Sequence, residues 1–283
     1  MIAREAFRNG GAPVQAPGSI PLIYSGDGMS VALYDAMYPS LGTPRDDEAF
    51  LLEQAEITGG PILELACGTG RVLWTLGDAG YEVTGLDLSR PMLARAEAKA
   101  VRRPAEVRER ASFVRSDMKE FDLGRTFSLI YSTFRSFQAL LTAEDQKACL
   151  RCAHRHLRKG GRLVLDLFDP ALDRCLPRDP YVQRTYGIHR HPETGSNALW
   201  ETVDHQNDPV RQILTEIWRW TEMDDAGRVV RVEMEEIRLR WTYRHELHHL
   251  LELCGFRLLH EYSDFRKSEP QYARELIVVC EPA

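Results

Sequence analysis

Hydrophobic positions over residues 61–170 come in short runs, each closing on small or acidic residues and then giving way to helical spacing. PILELACGTG (61–70) reads as a strand entering a glycine-rich turn, and Val72, Leu73, Leu76 and Ala79 after it have the spacing of a helix. YEVTGLDLS (81–89) is a second strand, followed by the helical RPMLARAEAKAVRR with Pro91 in its first turn, where a missing N–H costs little. ASFVRSDM (111–118), FSLIYSTF (127–134) and RLVLDLFDP (162–170) are three more strands. TAEDQKACLRCAHRHLRKGG between the last two predicts a helix capped by Thr142 and stopped at Gly160–Gly161. Alternating strands and helices mean a parallel sheet with helices on both faces. Ligands bind at the carboxyl ends of such strands, here the turns after residues 65, 86, 116 and 132.

The pattern changes from about 181 to 243. LWETVDHQND, RQILTEIWRWTEMD and RVVRVEMEEIRLRWTY alternate as strands without helices between them, and MDDAGRVV supplies a hairpin turn. GIHRHPETG, with His189 and His191, reads as a loop. RHELHHLLELCGF then predicts a helix, and FRLLHEYSDF and ARELIVVCEP two closing strands. The expected division is a flexible arm over 1–20, a helical lid over 21–50, a Rossmann-like body over 51–175 and 244–283, and an antiparallel insert over 176–243 roofing the site.

Composition narrows the classes. Of 283 residues, 43% are hydrophobic and 28% charged, the balance of a globular protein. A formal net charge of −6 argues against binding nucleic acid through a basic surface. No run reaches the roughly 18 apolar residues that span a bilayer, and the first residues carry no apolar signal core, so a cytoplasmic protein without membrane or nucleic-acid partners is expected. The six cysteines are then free thiols. Cys149 and Cys152 form a CxxC inside a helical pattern with no second pair, which favours packing over zinc.

Candidate chemistry gathers at the predicted strand tips. The first strand closes in Glu64-Leu65-Ala66-Cys67-Gly68-Thr69-Gly70, and small residues there let a ligand approach the backbone. The second ends at Asp87, whose carboxylate can accept from both hydroxyls of a ribose. The third ends in Ser116-Asp117-Met118, where Asp117 can accept from an adenine amino group and Met118 can support the ring. A single acidic tip more often caps a helix or decorates a loop, and Ser89 competes with Asp87 for such a cap. Three in succession point to a ligand.

ILELACGTGRV, VTGLDLSRPMLARA, FVRSDM, FSLIYSTF and HLRKGGRLVLDLF, in this order, resemble the motifs of class I S-adenosylmethionine-dependent methyltransferases over about residues 55–170. The resemblance implies an α/β fold: a Rossmann-like seven-stranded methyltransferase sheet with an antiparallel β insert before the last helix and strands. It implies S-adenosylmethionine as cofactor and S-adenosylhomocysteine as product. Ala66, Cys67, Gly68 and Gly70 would face the methionine part, and Glu64 would steer that loop and reach the amino group. Asp87, with Leu88 and Met92, would hold the ribose, and Asp117 with Met118 the adenine. Tyr131 and Ser132 would flank the sulfonium and methyl. Ala66 departs from a common glycine and Ser128 from a common aspartate. An NAD site would want the third glycine of G-x-G-x-x-G, which is missing after Gly70.

The insert resembles those of small-molecule methyltransferases acting on sugar nucleotides and natural products, which implies a place in secondary metabolism. The acceptor is then a small molecule methylated on nitrogen or oxygen by a monomer or homodimer. Phe134, Arg135 and Gln138 point towards that acceptor. Gln138 stands where aminosugar N-methyltransferases carry a histidine, and glutamine cannot take a proton. Arg135 either clamps a carboxylate or phosphate or forms a salt bridge. In SVALYDAMYPS (30–40), Tyr34 and Tyr38 share a helical face turned to the site or to the core, and Trp200 and Trp218 line a pocket or pack the insert. Catalytic candidates are therefore Gln138, Arg135, Tyr34 and His205, with Glu201 a further base, and acceptor contacts Tyr38, Phe134, Arg135, Gln138, Trp200 and Trp218. Alternatives are a protein or RNA methyltransferase, a non-catalytic cofactor-binding scaffold, and a zinc hydrolase. The last rests on HELHH (245–249), which fits H-E-x-x-H. The same stretch fits an amphipathic helix through Leu247, Leu250, Leu251 and Cys254, with His245 and His249 flanking its apolar face. No third ligand stands in a helical motif of its own, so no metal is expected.

Overall fold

The computed structural model describes residues 20–38, 46–171, 175 and 183–283. The arm expected over 1–20 lies, but for Ile20, outside the described residues, as does the boundary at 176. Two single-turn helices, α1 (Met29–Ala32) and α2 (Tyr34–Met37), precede α3 (Asp46–Thr58), which runs across position 50 and buries Phe50, Leu51 and Ala55. Then follow β1 (Ile62–Leu65), α4 (Arg71–Asp78), β2 (Val83–Asp87), α5 (Arg90–Ala98), α6 (Ala105–Glu109), β3 (Ala111–Arg115) and β4 (Phe127–Ser132). The helix α7 (Ala143–His156) leads to β5 (Leu157–Phe168), and β6 (Arg184–Arg190), β7 (Asn197–Asp208), β8 (Ile213–Met223) and β9 (Val229–Arg240) form a second sheet. The chain ends with α8 (Arg244–Leu253), β10 (Phe256–Tyr262) and β11 (Glu275–Pro282).

The main sheet has seven strands in the order β10-β11-β5-β4-β1-β2-β3. β1 to β5 run parallel, and the antiparallel β11 pairs with β5 and β10. Strand order reverses between β1 and β4, which opens a crevice at their carboxyl ends. β1 and β4 are buried along their whole length, which explains their continuous apolar runs. One core cluster contains Phe127, Ile130 and Leu163 with the apolar faces of α7 and α8; another contains Ile62, Leu73 and Trp74 with α3 and α4. Ser89 caps α5 by accepting from the Met92 N–H, with Pro91 in the first turn, and Thr142 caps α7 through the Asp145 N–H at 3.0 Å. Cys149 and Cys152 face the core, and all six cysteines are buried.

Two boundaries differ from the sequence pattern. The helix expected to reach Gly160 ends at His156, and LRKGG already belongs to β5. Gly160 is left-handed at φ +77°, and a Cβ on Gly161 would meet the Ser128 carbonyl oxygen at 2.9 Å, so the turn onto the sheet requires glycine at both. The supposed loop around His189 is β6, interrupted by a register shift at Gly187 that spoils strict alternation. His189 is buried beside Trp200.

The second sheet is antiparallel in the order β6-β7-β8-β9, and the Asp-Gly turn expected between two of its strands joins β8 to β9 with Gly227 at φ +75°. Trp200, Trp218 and Trp220 pack there with Met29, Leu33 and Met37 of the N-terminal segment. That segment is fastened twice. Leu22 bridges in parallel to Glu236 on β9, and Glu233 and Glu235 accept from the Met29 and Ser30 N–H groups at 2.9 and 3.0 Å. At its other end Asp35 accepts from Thr69 at 2.7 Å and pairs with Lys99 at 2.8 Å on the main domain.

Candidate functional site

The loop after β1 is built from left-handed residues: Ala66, Gly68 and Gly70 have φ of 56°, 54° and 69°. For Ala66 this conformation is strained, and the surroundings hold it. Gly85 on β2 makes room, since a Cβ there would lie 2.7 Å from Cys67 Sγ and 2.7 Å from Leu73 Cδ1. Asp87 then anchors the loop: its two carboxylate oxygens accept from the Gly68 N–H at 2.7 Å and the Ser89 N–H at 2.8 Å. Burial raises the Asp87 pKa above the ordinary aspartate value, against the pull of backbone bonds from Ser89, Gly68 and Leu88.

Glu64, registered beside Tyr131 across β1 and β4, is buried beneath this loop. Among the described residues its Oε2 has no hydrogen-bond partner, and neither has the buried Ser132 Oγ. Burial pushes the Glu64 carboxyl up to about 8, with the Tyr131 hydroxyl and Arg71 pulling it down. A buried acceptor without a donor costs about 1–3 kcal/mol, so Glu64, with the Tyr131 hydroxyl as its neighbouring donor, keeps Oε2 open to a further donor from a ligand.

A cavity of about 1770 Å³ opens over these tips. Ala66, Gly68, Asp87, Leu88, Met92, Asp117 and Met118 line one end; Glu64, Cys67, Gly70, Tyr131 and Ser132, expected there, do not line it. Leu88, 61% exposed, forms an apolar lip with Met92 and Met118. Asp117 accepts from the Lys119 N–H at 2.9 Å, leaving its second oxygen near the Lys119 ammonium at 3.7 Å. Orphaned acceptor, glycine-lined approach, apolar lip and acidic tips together fit an adenosyl group carrying a cationic amino-acid tail.

The other end of the cavity lies under the second sheet and the N-terminal segment. Tyr34, Phe134, Arg135, Trp200, Trp218 and His205 line it. Phe134 and Arg135, both left-handed at φ 54° and 63°, turn the chain sharply as it leaves β4. Arg135 pairs with Glu275 at 2.7 Å, the salt-bridge alternative of its sequence reading. His205 Nδ1 lies 3.3 Å from Glu216, its registered neighbour. Burial pushes the Glu216 carboxyl up, but bonds from His205 and the Trp218 indole more than reverse this, leaving it below the ordinary glutamate value.

Three candidates sit elsewhere. Gln138 is wholly buried, and its amide accepts from the Phe168 N–H at 3.0 Å and donates to the Phe168 carbonyl at 3.5 Å. It ties the β4 exit to the end of β5, off the cavity wall. Tyr38 lies behind the wall, bonded to Asp47 at 3.1 Å beneath the Arg71 guanidinium. Glu201, buried, is taken by Arg219 at 2.6 Å. Sequence reasoning missed Tyr24, Asp166, Glu216 and Glu275, all on the cavity wall. The one signal for Asp166 was an acidic residue near the end of a fifth apolar run.

HELHH forms the start of α8. His245 and His249 are exposed rather than half buried, and His248 pairs with Glu261. Glu246 pairs with Arg240 at 2.5 Å and accepts from the Tyr243 N–H, capping the helix. Among the described residues no His, Cys, Asp and Glu cluster is arranged to hold a metal ion.

Residues 62–161 match a family described as methyltransferase domain. A Streptomyces relative, cypemycin N-terminal methyltransferase, is 31% identical over 153 residues, covering 54% of this chain and 59% of that protein. The Streptomyces venezuelae dTDP-3-amino-3,4,6-trideoxy-alpha-D-glucopyranose N,N-dimethyltransferase is 31% identical over 140 residues, covering 47% and 55%. The match thus spans a little over half the length of these relatives. Among solved structures, the CcbJ methyltransferase from Streptomyces caelestis is 26% identical, superposes with a TM-score of 0.75, and covers 93% of this chain and 98% of that one. SAM-bound CalS10 from Micromonospora echinaspora, an amino pentose methyltransferase, shares the fold at 23% identity and a TM-score of 0.67. Fold and site define a class I methyltransferase architecture. Within it, residues 62–161 are similar to methyltransferase domains, and the motifs there resemble those of the S-adenosylmethionine-dependent type.

Proposed function

We propose that this chain transfers a methyl group from S-adenosylmethionine to nitrogen or oxygen of a small-molecule acceptor, as a cytoplasmic enzyme of secondary metabolism. The observation that carries this reading is the single continuous cavity, with the acidic tips and glycine loop at one end and an aromatic, charged chamber at the other. The bound cofactor supplies a methyl already activated by its sulfonium, so the protein's work is alignment and exclusion of water. Glu64 takes the amino group, Asp87 the ribose hydroxyls, and Asp117 with Met118 the adenine. The four-stranded sheet (with the insert beginning near 176) is the roof, and the fastened segment from residue 21 onward is the lid. Tyr34, Phe134, Trp200 and Trp218 shape the acceptor chamber, and Tyr38 and Gln138 support it from behind. Relatives named as a dTDP-amino-sugar N,N-dimethyltransferase and a cypemycin N-terminal methyltransferase favour nitrogen as acceptor atom. No helix among the described residues is long and apolar enough to cross a membrane.

The test is calorimetry with S-adenosylmethionine followed by a mass-shift screen of small acceptor pools. Micromolar binding and a one-methyl shift are expected; absence of binding would overturn the reading. The same calorimetry carries a finer prediction. At pH 7 a carboxyl with a pKa of about 8 is mostly protonated, and an ammonium placed against it forces it to ionise. Binding should therefore release close to one proton, seen as a binding enthalpy that varies with the ionisation heat of the buffer. Glu64→Gln should remove that dependence. A buffer-independent enthalpy in the native protein would refute the role of Glu64.

A further inference from the structure

Asp166 stands on the acceptor side of the crevice. Cofactor contacts come from β1, β2 and β3, whereas β4 and β5 lie on the other side of the strand-order reversal. In register, Ser132 at the tip of β4 pairs with Leu165, and Asp166 follows it on β5. Its side chain is on the cavity wall and almost wholly buried. Oδ2 accepts from the Phe134 N–H at 2.9 Å, fixing the strained exit of β4. Among the described residues Oδ1 has no hydrogen-bond partner, and the same is true of Glu275 Oε2 on the adjacent β11.

Among the described residues the charges around Asp166 do not balance. Arg135, from the β4 exit, is the cation there that favours its charged form, and it is bonded to Glu275. Asp47, from α3, is a further negative neighbour, but Arg71 bonds and offsets it. Two carboxylates thus share one guanidinium, and buried charge of one sign without a partner is costly. The nearby chamber wall carries Tyr34, Phe134 and Trp218, whose ring faces favour a cation.

On the reading of a methyltransferase given above, we propose that Asp166 binds the ammonium group of a primary or secondary amine acceptor through Oδ1 and takes its proton, making amine nitrogen the methylated atom. An ammonium ion has no lone pair and cannot attack a methyl group. Moving one N–H proton to Oδ1 gives a neutral amine and a neutral carboxylic acid, with total charge unchanged. Methylation then returns a positive charge to the nitrogen, and the proton on Asp166 leaves to solvent when the product departs. Burial, with Glu275 beside it and Arg135 opposing, pushes the Asp166 carboxyl above the ordinary aspartate value, in the direction a base of this kind needs. His205 is the rival base, but its Nδ1 is already engaged by Glu216 on the far wall.

Two measurements on the full chain test this. In the first, carboxyl carbons of aspartate are labelled with carbon-13, and the S-adenosylhomocysteine-loaded protein is titrated, with Asp166→Asn identifying the resonance. The expected result is a carboxyl titrating well above pH 6; titration in the ordinary range below pH 5 overturns the proposal whatever the acceptor. In the second, S-adenosylmethionine is presented with a pool of small primary amines and a matched pool of alcohols. Transfer to the amine pool is expected. Asp166→Asn should lower kcat/KM at least 100-fold near neutral pH, leave cofactor affinity within about twofold, and move the rising limb of the pH profile towards the free amine's own pKa. Asp166→Glu should restore part of the rate, which a merely structural role would not give. Transfer to alcohols alone, cofactor binding without transfer to any amine, or an unchanged pH profile in Asp166→Asn overturns the role of Asp166 and leaves the methyltransferase reading standing. Failure of the native chain to bind S-adenosylmethionine overturns both.

Discussion

Replacing Asp87 by alanine is expected to weaken S-adenosylmethionine binding about 100-fold, or about 2.7 kcal/mol. The carboxylate has two tasks. It accepts from the Gly68 and Ser89 N–H groups at 2.7 and 2.8 Å, holding the β1 loop against the β2 tip, and it faces the cavity where the ribose hydroxyls would lie. Hydrogen bonds to a charged acceptor each contribute about 1.5–3 kcal/mol, so losing the ribose contacts alone accounts for the drop. Asp87→Asn keeps one acceptor oxygen and should lose about tenfold. Titration with adenosine separates ribose recognition from recognition of the tail. Asp87→Ala should impair adenosine as it does the full cofactor, whereas Glu64→Gln should leave adenosine binding unchanged. Unaltered affinity for both ligands in Asp87→Ala would remove Asp87 from the site.

The end of the site proposed for the cofactor is legible in the sequence because each part is local. A buried parallel strand reads as an unbroken apolar run, and the residues after it occupy the rim by topology alone, so Glu64, Asp87 and Asp117 can be placed without knowing the packing. The acceptor end is built differently. Asp166, Glu216 and Glu275 come from β5, β8 and β11, and nothing in their neighbours' spacing says that these strands converge. Glu216 in particular alternates within an ordinary amphipathic strand. Gln138 shows the opposite error: its sequence position relative to β4 suggested the acceptor pocket, but the turn at Phe134 and Arg135 directs its amide into the backbone of Phe168. The helix overrun at LRKGG has a simpler cause. Lysine and arginine are good helix formers, and only the Gly161 contact with the Ser128 carbonyl shows that the chain has already joined the sheet.

Arg240→Ala is expected to destabilise the fold by about 3–4 kcal/mol and to lower Tm by roughly 8 °C. Arg240 lies at the end of β9, where the second sheet meets the main domain, and is 6% exposed. Its guanidinium donates to Gln146 of α7 at 2.8 Å, to Thr242 at 3.0 Å, to Gln212 before β8 at 2.9 Å and to Glu246 of α8 at 2.5 Å. Removing it leaves the buried Gln146 and half-buried Gln212 oxygens without this donor and Glu246 without its counter-ion. Such loss is costlier than the pair's net contribution, because the partners stay desolvated. Arg240→Lys keeps the charge but loses the planar fork, and should recover less than half of the lost stability. Glu246→Gln, in a group 30% exposed, should cost only about 1 kcal/mol, since the amide can still accept from Arg240. This ordering also bears on HELHH, since Glu246, the base a zinc hydrolase would need, is already committed to holding the second sheet against α7 and α8. A thermal melt in which Arg240→Ala behaves like the native chain would show that the roof is fastened elsewhere.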